Sequence, residues 1–106
     1  MTIYTDLTGR IREASEQACE LLGVAASHLA VTRKLPLFFV ENRHQLLELM
    51  SAAAGGLTMM QMPTIIQGLR GGRRRVLVEI HRIGSVHQDL LEWVLVPVDR
   101  PTPESC

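Results

Sequence analysis

Apolar and polar positions change their period twice along the chain. Ile3 to Thr5 is a short β-like run, and Arg10 to Arg12, centred on Ile11, reads as its returning strand. Between them "DLTG" supplies Asp6 and Gly9, residues suited to a turn, so the chain should open with a tiny hairpin. The spacing then lengthens to a helical one. Ala14, Ala18, Leu21 and Leu22 form an apolar stripe, Ser15 is placed to cap its start, and Gly23 to end it. "VAASHLA" allows a second, shorter helical turn, and Pro36 forbids a regular helix through "TRKLPLFFV".

"ENRHQLLELMSAAAGG" predicts the longest helix, with Asn42 as its cap and Gly55-Gly56 as its end. Leu46, Leu47, Met50, Ala53 and Ala54 are expected on its buried side. After Gly56 the period becomes that of strands. Pro63 places "LTMMQMPTIIQ" on a sheet edge, because a proline has no N–H to donate to a ladder. In "VLVEIHRI", Val76, Val78 and Ile80 face one way, and Leu77, Glu79 and His81 the other. In "LLEWVLVPV", Leu91, Trp93 and Leu95 share one face, and Leu90, Glu92, Val94 and Val96 the other. The order predicts an α+β fold with an antiparallel sheet of about five strands, the last three paired in sequence. Residues 1–98 read as one domain, and the polar, proline-containing stretch 99–106 as a tail or linker.

Composition adds limits. Eleven basic and eleven acidic side chains cancel over 106 residues, so no global field favours nucleic acid or an anionic membrane. Two cysteines, Cys19 in a helix and Cys106 on the tail, do not make a disulfide framework, which suits a reducing cytoplasm. No signal-peptide pattern is visible, and no apolar run is long enough to span a bilayer.

The ordered set of motifs resembles the PAS domain family, sensory and dimerising modules of bacterial signalling proteins such as two-component systems. The matching stretches are Asp6 to Gly9, the Ser15–Gly23 helix with Gln17-Ala18 and Leu21-Leu22-Gly23, "LPLFFV", the helix from Arg43 to Gly55, and the Gly71-Gly72 turn. Ser15 stands where the family has Asn. Pro97 stands where the family has a strand-ending Asp, so the usual coupling to a following helix through that residue is not expected. The resemblance implies a sheet in the order 2-1-5-4-3 with short helices packed on one face. That order puts the third strand on an edge, as Pro63 does independently.

It also implies a ligand cavity between sheet and helices. Alternation assigns Val78, Ile80 and Trp93 to its wall, with Leu47 and Met50 opposite and Met60 from the third strand; the ligand would be a small apolar molecule. A plain core is the favoured reading of the same side chains, since a small domain needs them there, and Trp93 could fill the space itself if its indole N–H found a partner. The resemblance also marks His44 as a haem axial ligand, since haem-binding members carry one on this helix; the alternative is an exposed histidine among polar neighbours. Flavin is not expected, because the family's G-x-N-C-R-F stretch is absent. "RGGRRR" reads as a solvated turn, and His81 with His87 makes no metal set. No catalytic motif is present, so no enzyme activity is expected.

Leu77, Leu90, Val94 and Val96 would leave the outer sheet face apolar. With Met1 two residues before the first strand, no preceding helix is expected to cover it. A homodimer or other partner should. The function expected is a sensing module that binds a small ligand and signals through dimerisation or its tail to an output domain or partner protein. The alternative is a ligand-free interaction module.

Overall fold

β1 (Thr2–Thr5) and β2 (Ile11–Ala14) form the opening hairpin, in a computed structural model that describes residues 1–56, 61–84 and 89–98. Asp6 builds the turn between them. One carboxylate oxygen accepts from the Thr8 N–H at 2.9 Å, the Thr8 hydroxyl at 2.6 Å and the Arg10 N–H at 3.0 Å. Gly9 takes φ 99°, which few other residues tolerate. The returning strand begins at Ile11, one residue later than its sequence signal, and runs on to Ala14, which therefore belongs to the sheet and not to the helix.

α1 (Glu16–Leu22) starts at Ser15, whose hydroxyl accepts from the Ala18 N–H, and stops at Gly23 with φ 73°. Ala18 and Leu22 are buried. Two 3-10 turns follow, Ala26–Val31 and Leu35–Phe38, the second carrying Pro36 where its missing N–H costs no bond. α2 (Arg43–Ala54) buries Leu46, Leu49 and Ala53. The expectation for Leu47 is corrected: it is 41% exposed, because Leu46, Leu49 and Ala53 at i, i+3, i+7 form the inward stripe and Leu47 lies beside it. Asn42 precedes α2 in the left-handed region (φ 57°), but its side chain does not cap the helix. It donates instead to the Pro63 carbonyl at 3.3 Å.

β3 (Met62–Gln67), β4 (Arg73–Gly84) and β5 (Asp89–Pro97) complete an antiparallel sheet in the order β2-β1-β5-β4-β3. β3 lies on the edge with Pro63, and the chain from Phe39 to Asn42 runs along it. The Val40 N–H donates to the Ile65 carbonyl at 2.9 Å, and the Thr64 hydroxyl to the Glu41 carbonyl at 2.5 Å. At the other end of β3 the chain touches α1. The Leu69 N–H donates to the Leu22 carbonyl at 2.8 Å, and a Cβ on Gly68 would sit 2.0 Å from the Leu21 carbonyl oxygen.

The core lies between the sheet and the helices. Ile3, Ile11, Val76, Val78, Ile80, Leu91, Trp93 and Leu95 come from the sheet, and Phe38, Phe39, Leu46 and Leu49 from above it. No helix among the described residues is long and apolar enough to cross a membrane. Met60, His87 and the tail 99–106 lie outside the described residues.

Candidate functional site

Two regions could carry function: the interior under the helices and the outer face of the sheet. Inside, alternation puts Val78, Ile80 and Trp93 on one wall, and all three are fully buried. Trp93 fills the middle. Its ring stacks on Phe39 with centroids 6.1 Å apart and planes 20° from parallel. Its Nε1–H donates to Thr5 Oγ1 at 2.8 Å, and the Thr5 hydroxyl in turn donates to the Asp6 carbonyl at 2.8 Å. The indole thus occupies the space between sheet and helices with its one polar atom paired. Among the described residues no buried side-chain N or O lacks a partner.

Among the described residues, concavities of about 300–430 Å³ open at the rim of the fold, and Val78, Ile80 and Trp93 do not line them. Of the helix residues expected to face a ligand, Met50 is half-buried at the edge of the core and Leu47 points outward. His44 also projects into solvent, 88% exposed, with Nε2 3.6 Å from Glu48 one turn on. A haem ligand must face an apolar chamber, so the position of His44 does not fit haem. Cys19 is half-buried and packs against the core as a small hydrophobe.

The outer face is a banded surface. Leu77 pairs with Val96 and Pro63 across the sheet, and Val94 pairs with Glu79 and Thr2. Leu77 and Val94 are half-buried and Val96 is 40% exposed. Ile83 and Leu90 pair further along. Between these apolar positions runs a polar row that crosses β1, β5 and β4 and ends at Gln61, just before β3. The Tyr4 hydroxyl donates to Glu92 Oε2 at 3.0 Å, and Glu92 lies opposite His81. His81 Nε2 is 3.0 Å from Glu79 Oε1, and the Gln61 amide donates to Glu79 Oε2 at 2.5 Å. The hydrogen bond from His81, then that from Gln61, holds the Glu79 carboxyl below its ordinary value. The bond to Glu92 and its charge push the Tyr4 hydroxyl up.

Comparison with solved structures bears on the sheet order. The PAS domain of an HTR-like protein from Haloarcula marismortui superposes with TM-score 0.74 at 17% identity, over 92% of this chain and 80% of that one. The PAS domain from the fruit-fly ELK potassium channel gives TM-score 0.66 at 14% identity, over 93% and 86%. The chain has the PAS fold. A domain of a sensory box sensor histidine kinase/response regulator from Geobacter sulfurreducens matches too, with TM-score 0.68 at 10% identity over 90% and 80%. No protein-family model matches the chain, and no curated protein does.

Sequence reasoning on the PAS fold missed three participants. Thr5 as the indole's acceptor needs the β1–β5 pairing, which brings residues 88 apart in sequence together. Phe39 needs the path of a non-periodic segment. Tyr4 becomes visible once alternation on β1 is read beside β5, since it pairs with Glu92.

Proposed function

We propose that this PAS-fold chain is a signalling module that acts by protein association, with its interior filled by its own side chains. Trp93 carries the reading. A buried indole that stacks on Phe39 and has its N–H paired to Thr5 leaves the inner wall without a group that asks for a ligand. Exposed Val96 and half-buried Leu77, Leu90 and Val94 on the outer face support association there, with a second copy as the partner. Solved neighbours described as a sensor kinase/response regulator and a potassium channel support a signalling setting. The module is a binding element and not an enzyme, so its output is made by a partner protein or an output domain.

Native mass spectrometry and light scattering of the purified chain test this. The expected result is twice the polypeptide mass with no adduct and no visible absorption. A small molecule released in equal amount on denaturation would overturn it in favour of a ligand sensor. A Val94→Asp or Leu77→Glu variant should be folded and monomeric; a monomeric parent would remove the dimer.

A further inference from the structure

The charges on the outer face are segregated along the strands. Rows of outward residues are spaced by two residues, about 7 Å. One end carries Arg73 and Arg75, both exposed on β4. The row with Leu77, Val96 and Pro63 follows, and beyond it come Glu79 and then Glu92. Arg73 donates to Gln67 at 2.8 Å, while Arg75 has no ion pair among the described residues. An apolar row with two cations on one side and two carboxylates on the other is complementary to itself in one orientation.

Resting on the proposed association through this face, we infer that two copies pack sheet to sheet with strands antiparallel, about a two-fold axis that crosses the strands at the Leu77–Val96 row. That axis lays Leu77 and Val96 against their own copies. It sets Arg75 over the partner's Glu79 and Arg73 over the row with the partner's Glu92 and His81. Symmetry makes each of these charge contacts occur twice. An axis along the strands would instead put arginine on arginine and glutamate on glutamate, a juxtaposition that works against binding. Charge therefore selects the direction, and the apolar row supplies the buried centre.

A charge-swap cycle decides it. Arg75→Glu and Glu79→Arg should each raise the dimer dissociation constant about tenfold or more, by like-charge contact, and the double variant should recover most of the loss. Sedimentation reads the constants and circular dichroism checks the fold. If Glu79→Arg unfolds, the same cycle is run on Arg73 and Glu92. A parent dimer that ignores both single changes, or a double variant no better than the singles, overturns this register and leaves association through the face standing. A parent that is monomeric at every concentration overturns both.

Discussion

Trp93 on β5 donates its indole N–H to the hydroxyl of Thr5 on β1, 2.8 Å away and fully buried. The two strands are adjacent in the sheet, with Thr5 opposite Leu91. One hydrogen bond thus ties the first strand to the last and lets a large aromatic ring occupy the interior without a stranded donor. Thr5→Val keeps the shape and removes the acceptor. It should lower stability by about 1–3 kcal/mol in urea unfolding, because the indole N–H loses its partner while still buried. An unchanged midpoint would mean that the ring finds another acceptor.

The register of α2 separates two neighbouring leucines. Leu49→Ala should cost about 2–5 kcal/mol, since Leu49 is part of the core. Leu47→Ala should stay within about 0.5 kcal/mol, because that side chain lies at the surface. Equal losses from both would place the buried stripe of the helix elsewhere.

Gly68 is held by close approach. A methyl there would meet the Leu21 carbonyl oxygen at 2.0 Å, so backbone must move. Gly68→Ala should destabilise by about 1–3 kcal/mol or more, and hydrogen exchange at the Leu69 amide should rise as its bond to Leu22 weakens. A neutral substitution would show that the β3–β4 turn yields easily.

Asp6 gives the hairpin a pH dependence. Partial burial pushes its carboxyl up, but the Thr8 hydroxyl, the backbone N–H groups of Arg10 and Thr8 and the Arg10 charge together hold it below its ordinary 3.8. A carboxyl lowered by folding stabilises the fold above its unfolded value, and that contribution is lost as pH falls through the folded one. Asp6→Ala should therefore lower the melting temperature near neutral pH, by about 1 kcal/mol in stability, and the gap to the parent should narrow below about pH 4. A gap that is constant with pH would assign the effect to turn shape alone.

Much of this was readable from periodicity. Alternation on the long strands put Val76, Val78, Ile80, Leu91, Trp93 and Leu95 inside, and all are buried. Pro63 marked its strand as an edge because a missing N–H has a direct backbone meaning. The helix stripe was harder. In "QLLELM" Leu46, Leu47, Leu49 and Met50 are apolar, so more than one facing is compatible with the pattern, and it takes the packing of α2 on β4 to bury Leu46 and Leu49. Asn42 kept its place before α2, yet its amide serves Pro63 across space, which no local cap rule anticipates. The site depended on pairings between distant strands: Thr5 with Trp93, Tyr4 with Glu92. The resemblance implied the sheet order, but these contacts also need the β1–β5 register, which no local pattern states.

The covering of β3 also limits how molecules of this kind can accumulate. Pro63 offers no donor, its carbonyl is taken by Asn42, and the Ile65 carbonyl is taken by Val40. An incoming strand finds that margin already spoken for, so edge-to-edge growth of the sheet into fibres is blocked on that side. The association proposed above would use the face of the sheet and leave this margin untouched.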